Sequence, residues 1–142
     1  MNTNNLTGFN VRVYALCIEN GQLLCLKEPY AGKIVTKLPG GGLELGEGTV
    51  ACLQREFKEE LNLSISVEEC FYIQEDFVPS LAKDHKQLLM LYFKASINDI
   101  ENLQILEERI EAVSWVDLKG ENPFTLPVDQ IVFKKLQDSC CN

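Results

Sequence analysis

The chain is poor in histidine and lacks the cysteine spacing that most often builds metal and redox centres. It has one histidine, His85, and one tryptophan, Trp115, in 142 residues. Its six cysteines, Cys17, Cys25, Cys52, Cys70, Cys140 and Cys141, include no C-x-x-C pair. A zinc ribbon or a dithiol redox motif therefore has no foundation. The expectation is reduced, mostly buried thiols in a cytosolic protein, with Cys140 and Cys141 in an exposed tail. No apolar run approaches the roughly 18 residues of a membrane-crossing helix, and the first residues lack the charged and apolar regions of a secretory leader. A cytoplasmic location follows as the expectation. Basic residues are scarce too: 13 Lys and Arg stand against 21 Asp and Glu, a net charge of −8. That balance argues against a nucleic-acid polymer or an anionic membrane as partner. A small phosphate compound remains compatible, because a bound cation inverts the local field.

What is present suits an ordinary globular domain. Hydrophobic residues make up 46% and charged residues 24%, and the length is that of one domain, taken as 1–142 with a polar, flexible stretch over 1–8. Apolar, β-prone runs at Val11 to Ile18 and Gln22 to Lys27 flank Asn20-Gly21, a hairpin signal. Val35 to Leu38 predicts a short strand leading into Pro39 and three glycines. A helix is predicted from Gly48-Thr49 to Leu61, with Val50, Leu53, Phe57 and Leu61 as its core stripe. Strand patterns follow at Ser64 to Val67, Cys70 to Val78 and Gln87 to Ser96. The run Leu88 to Phe93 is apolar enough for a strand buried on both faces. Val113 to Val116 predicts another strand, and Pro127 to Gln137 a closing amphipathic helix. Strands on both sides of one central helix, with a terminal helix, predict an α/β sandwich around a mixed sheet.

The chemistry concentrates between Gly40 and Leu63. Gly40-Gly41-Gly42 offers a flexible backbone loop, and Glu44 and Glu47 follow it. Glu56, Glu59 and Glu60 then stand at i, i+3 and i+4, so a helix gathers them near one face, on average about a right angle or more from the core stripe. Like charges at that spacing repel by a few tenths of a kcal/mol per pair, so local stability does not account for them. A divalent cation does. Hard carboxylate oxygens suit Mg²⁺ or Mn²⁺, and Mg²⁺ commonly bridges carboxylates to substrate phosphates.

The spacing is more specific still. Gly41 precedes Glu47 by six residues and Arg55 and Glu56 by fourteen and fifteen, and Phe57, Glu59, Glu60 and Leu63 complete a series. The series resembles the Nudix box, G-x5-E-x7-R-E-U-x-E-E-x-G-U with U apolar, along its whole length. Asn62 stands where that family has Gly, a tolerable exchange at a left-handed helix end. The resemblance implies the Nudix fold over essentially the whole chain, with an α/β/α sandwich, a box helix and a C-terminal helix. It also implies metal-dependent hydrolysis of a diphosphate bond in a nucleoside diphosphate linked to another moiety, with Mg²⁺ or Mn²⁺ as cofactor. By the same resemblance Glu56, Glu59 and Glu60 match metal ligands, with Glu56 a candidate base. Gly40 matches a residue whose carbonyl often coordinates metal, Arg55 one that orients a box glutamate, and Glu47 one that holds the loop against the helix. A homodimer is common in the family.

Outside the box the signals thin out. Glu107, Glu108 and Glu111 lie before Trp115, where some members carry an extra ligand or base, and Glu108 is the candidate; a solvated acidic loop is the plain alternative. His85, in the polar stretch Ala82 to Lys86, reads as a surface histidine. Tyr14, Phe77 and Tyr92 could stack on a base but sit in strand patterns where core packing is the ordinary explanation. Glu44 reads as a loop-capping or surface residue. For substrate choice, Pro79 follows Leu63 by sixteen residues, near the offset of a proline in ADP-ribose-type pyrophosphatases. The arrays that mark the diadenosine-polyphosphate and NADH classes are missing. The compact, hairpin-first layout resembles MutT-like members, which act on nucleoside triphosphates. Two alternatives stand beside hydrolysis: a non-catalytic Nudix-fold nucleotide-binding or regulatory module, which would have lost box glutamates that this chain keeps, and an isopentenyl-diphosphate isomerase, which needs more histidines than one.

Overall fold

The protein is described by a computed structural model that covers residues 3–80 and 84–140. Its elements in chain order are β1 (Gly8–Glu19), β2 (Gln22–Tyr30), β3 (Lys33–Lys37), β4 (Gly40–Gly42), α1 (Thr49–Leu61), β5 (Ile65–Ile73), β6 (Val78–Pro79), β7 (Lys86–Ile97), β8 (Ala112–Asp117) and α2 (Pro127–Cys140). The strands run in the order β3-β2-β1-β7-β5, with β4 on β1, β6 on β7 and β8 on β2. β1 and β7 are parallel, and every other pairing is antiparallel. The sheet is therefore mixed, as the alternation of sequence patterns predicts.

The period-two pattern of β1 and β2 separates two cores. Val13, Ala15, Cys17, Leu24 and Leu26 face one side, where Leu53, Phe57 and Leu61 of α1 close over them. Leu16, Leu23 and Cys25 face the other, against Val128, Val132, Phe133 and Leu136 of α2. Side chains alternate across a strand, so each of these strands supplies both layers. The result is helix, sheet, helix.

Several expectations give way here. Val50 does not complete the core stripe: it is 45% exposed, because the first turn of α1 extends past the packed end of the sheet beside exposed Leu45 and Gly48. Cys52, wholly buried, packs in that part of the helix instead. The stretches Ser64 to Val67 and Cys70 to Val78 are not two strands divided at 68–69. β5 runs through, its ladder shifting between Val67 and Cys70 and again before Tyr72, and β6 is a separate two-residue strand. The run Leu88 to Phe93 is not buried on both faces. Met90 and Tyr92 are buried on the α2 side, but Leu89 is 37% exposed. Phe93, Ala95 and Ile97 are the β7 residues that pack into the core beneath α1. Gly40 to Gly42 is a strand laid antiparallel on β1, with Tyr14 opposite Gly40, Val13 opposite Gly41 and Arg12 opposite Gly42.

At the N-terminus Thr3–Asn5 forms a 3-10 turn, the Thr7 N–H donates to the His85 carbonyl at 2.8 Å, and β1 begins at Gly8. His85 is exposed; its neighbours 82–83, and Cys141 of the expected tail, lie outside the described residues. No described helix is long and apolar enough to cross a membrane.

Candidate active site

Gly40–Gly42 meets the middle of α1 because glycine leaves room. A Cβ on Gly41 would stand 2.5 Å from the Glu56 carboxyl carbon, and one on Gly40 would stand 2.1 Å from the Val13 carbonyl oxygen. Gly40 also has φ +146°, backbone that a side chain rarely adopts. The helix ends as its sequence predicts: Asn62 is left-handed, with φ 57° and ψ 34°, and the Asn62 and Leu63 amides donate to the Lys58 and Phe57 carbonyls. Asn62 Nδ2 also donates to the Asn102 carbonyl at 3.1 Å, so the exchange for glycine adds a tie to the distant 3-10 turn Ile100–Asn102.

Arg55 fastens the approach to the helix. Its Nη2 and Nε donate to the two carboxylate oxygens of Glu47 at 2.7 and 3.0 Å, and Nη2 reaches the Gly42 carbonyl at 3.1 Å. Its Nη1 donates to Glu56 at 2.8 Å and Glu59 at 3.3 Å, with Glu44 3.7 Å away. Hydrogen bonding to Arg55, joined by the Glu44 amide, holds the Glu47 carboxyl down at about 2. The Arg55 guanidinium is raised in turn.

The three box carboxylates do not share one environment. Glu59 is open to water, its side chain 59% exposed, while Glu56 is mostly covered and Glu60 is buried. Their mean direction conceals the spread: at about 100° per residue Glu60 lies only about 20° around the helix from Leu53. Burial raises the Glu60 carboxyl, adjacent Glu56 adds to the rise, and Arg109 opposes it. Arg109 comes from the segment before β8. Its Nη2 donates to Glu60 at 2.6 Å, its Nε to Glu28 at 3.0 Å, and its Nη1 lies 3.2 Å from Glu107. Glu28, on β2 and 5% exposed, was invisible to sequence reasoning. The available signal was a glutamate beside Lys27, directly after the apolar run Leu23 to Leu26.

These groups line one cavity of about 700 Å³. Gly40, Glu44, Arg55, Glu56, Glu59 and Glu60 border it, and Glu47 serves it through Arg55 without lining it. Glu108 is not brought in. It is exposed, because the turn closed by the Ile110 amide on the Glu107 carbonyl presents Glu107 and Arg109 to the cavity instead. Away from the carboxylates the lining becomes apolar, with Leu38, Val78, Leu88, Met90, Leu126 and Val128. Tyr14 also lines it and stacks on buried Tyr92, ring centroids 5.4 Å apart, whereas Phe77 lies outside it, 45% exposed. Asp129 lies at that end, 5% exposed, and accepts from the Tyr92 hydroxyl at 2.7 Å; burial lifts its carboxyl to about 6. Burial likewise pushes the Cys17, Cys25 and Cys52 thiols up to about 12, so they are unreactive packing residues.

The donors fit a hard divalent cation. All are oxygens, Gly41 leaves the cradle that Glu56 fills, and Glu56 and Glu60 are side by side with only a proton or a cation able to join them. Among the described residues no three acidic side chains already stand as a coordination set; Arg55 and Arg109 hold these carboxylates.

A two-helix sandwich around a mixed sheet, with a glycine strand pressed on an acidic helix, defines a class of phosphate-handling α/β domain. The family is settled by comparison: the profile of the NUDIX domain matches residues 7–135, and the chain belongs to that family. Its fold is that of a NUDIX hydrolase from Nitrosomonas europaea, with a TM-score of 0.75, 21% identity, and coverage of 92% of this chain and 89% of that one. A MutT protein from Methanosarcina mazei superposes with a TM-score of 0.74 at 17% identity, over 96% and 98% of the two chains. An ADP-ribose pyrophosphatase from Streptococcus suis gives 0.65 at 14% identity, over 89% and 90%.

Proposed function

We propose that this protein hydrolyses a diphosphate bond in a nucleoside diphosphate linked to another moiety, with Mg²⁺ or Mn²⁺ as cofactor. The observation that carries the reading is one cavity with two unlike ends: glycine strand and carboxylates at one, an apolar recess with a single buried carboxylate, Asp129, at the other. A charged diphosphate and a flat, partly apolar nucleoside need that division. Family membership supports the reaction class, and Nudix hydrolases generally use divalent metals. Glu56, Glu59 and Glu60 would hold the cation. Bound there, it would neutralise charge on phosphate oxygens and lower the pKa of the attacking water.

The chain's own residues do the rest. Arg55 fixes Glu56 by a 2.8 Å hydrogen bond and ties the loop to the same helix through Glu47. Glu56, beside Gly41 and largely shielded, is placed to take the proton of an attacking water, a role worth about 10²–10⁴-fold. Arg109 orients Glu60 from the opposite side. The family resemblance and compact form favour a MutT-like action on nucleoside triphosphates, with ADP-ribose and nucleotide sugars the other members of the class. The buried thiols and acidic surface suit a cytoplasmic enzyme acting on small nucleotides.

A panel of nucleoside triphosphates, ADP-ribose, nucleotide sugars and dinucleotide polyphosphates, assayed with Mg²⁺ or Mn²⁺ at mildly alkaline pH, tests this reading. Turnover of at least one member is expected. Glu59→Gln should cut it by about 100-fold or more while leaving the melting curve in place, since that side chain is exposed. Nucleotide binding without turnover of any panel member would sink hydrolysis and leave the binding-module alternative.

A further inference from the structure

The chain contains three arginines, Arg12, Arg55 and Arg109, and all three line the active-site cavity. In a protein of net charge −8 that concentration is not a solvated surface. Two of the three are committed to acids. Arg55 is within 4 Å of Glu44, Glu47, Glu56 and Glu59, and Arg109 of Glu28, Glu60 and Glu107. Arg12 differs. It projects from β1 opposite Gly42, and its side-chain hydrogen bond runs from Nε to the Tyr14 hydroxyl at 2.6 Å. Among the described residues it forms no ion pair. Its guanidinium carbon sits 5.6 Å from the Tyr14 ring centroid, and a Cβ built on Gly42 would lie 3.6 Å from its Nη1.

A half-buried guanidinium that gives only its Nε to a phenol keeps both terminal nitrogens for something else. Those nitrogens form a rigid fork that matches two oxygens of a phosphate. Glu56 attracts this guanidinium through space, but the hydrogen bond to that carboxylate comes from Arg55, at 2.8 Å. Tyr14 braces the fork from below, stacked in turn on Tyr92. Gly42, whose carbonyl accepts from Arg55 Nη2 on one side, passes Arg12 Nη1 on the other with no side chain between.

We propose that Arg12 is a substrate-binding residue that takes two oxygens of a substrate phosphate across the cavity from the carboxylates. It acts as the chain's direct, metal-independent phosphate contact. The inference deepens the hydrolase reading, because the phosphate belongs to the substrate of that same cavity. One wall then carries acids that hold a cation, and the facing strand carries a cation that holds the anion. Sequence periodicity conceals this, because Arg12 interrupts an apolar strand and would be dismissed as a position turned to water.

Inorganic pyrophosphate with Mg²⁺ is the probe, and calorimetry of the wild type, Arg12→Gln, Arg12→Lys and Tyr14→Phe is the measurement. The wild type should bind pyrophosphate. Arg12→Gln should weaken it by about 10- to 100-fold, the scale of charge-assisted hydrogen bonds to one phosphate. Arg12→Lys keeps the charge and a donor for Tyr14 but not the fork, so it should recover only part of the loss. Tyr14→Phe should cost less than Arg12→Gln. Mn²⁺ affinity, read separately by electron spin resonance, should be unchanged in Arg12→Gln, which separates loss of anion binding from collapse of the site. Equal pyrophosphate affinity in the wild type and Arg12→Gln, or no binding by the wild type, overturns the proposal. If panel turnover depends on Glu59 while Arg12→Gln binds normally, only this inference falls. If no panel member is hydrolysed yet Arg12→Gln loses pyrophosphate, the anion site stands and the hydrolase reading falls.

Discussion

Arg109 reaches from a half-exposed position to two carboxylates that water barely touches. Its Nη2 and Nε hold Glu60 and Glu28 at 2.6 and 3.0 Å, and those side chains are only 7% and 6% exposed. Removing the arginine would leave buried Glu60 without its cation and buried Glu28 with only Lys37, 3.9 Å away. Losing one partner of a fully buried pair costs about 3–5 kcal/mol, and the exposure of Arg109 reduces that figure. Arg109→Gln should therefore lose about 2–3 kcal/mol in urea denaturation at neutral pH. A loss below about 0.5 kcal/mol would show that water already serves both acids. The contrast with Glu59 is instructive, because two adjacent glutamates answer to different physics. Spacing along the chain located both, but the segment that brings Arg109 to Glu60 lies 49 residues later, and no local pattern encodes that meeting.

At the level of elements, α2 carries its own conflict. Asp129 lies in the first turn, where a carboxylate favours the helix dipole, yet it is buried against Tyr92 and its carboxyl is lifted from 3.8 to about 6. The folded form thus takes up a proton between about pH 4 and 6 that the unfolded chain releases. The stability from that proton is full below the unfolded value and is lost as pH rises through about 6. Lys37 and the Tyr92 hydroxyl, the other groups that act on it, work against the rise without cancelling it. Asp129→Asn keeps an acceptor for Tyr92 and sheds the charge. Its melting temperature should exceed the wild type's by roughly 5 °C at pH 7.5, with the gap closing by about pH 4. A gap independent of pH would mean that Asp129 is not the titrating group. The limits of α1 were readable in sequence through apolar periodicity and a left-handed Asn62, whereas α2 runs past the expected end at Gln137 and takes in Cys140, expected in a tail. The glycine triplet was not readable: glycines suggest a loop, and only the backbone ladder with β1 makes Gly40–Gly42 a strand.

For the molecule as a whole, the fold class was legible because alternating and helical periods fall in a recognisable order. The topology within the class was not. β1 and β7 are parallel partners whose aligned residues, from Gly8 with Lys86 to Cys17 with Ala95, are separated by more than half the chain. Such pairing is decided by how two layers close, not by any window of sequence. Arg55 and three acids of the site were spelled out in one segment for the same reason that Glu28, Arg12 and Arg109 were hidden. Arg55, Glu56, Glu59 and Glu60 share a helix, whereas Glu28, Arg12 and Arg109 arrive from two strands and a loop.

That gathering of arginines has a chemical corollary. The remaining ten basic side chains are lysines, so every guanidinium that a dicarbonyl reagent such as phenylglyoxal selects lines the cavity. Covalent labelling, followed by mass, would then report occupancy of that single place, and pyrophosphate should shield it.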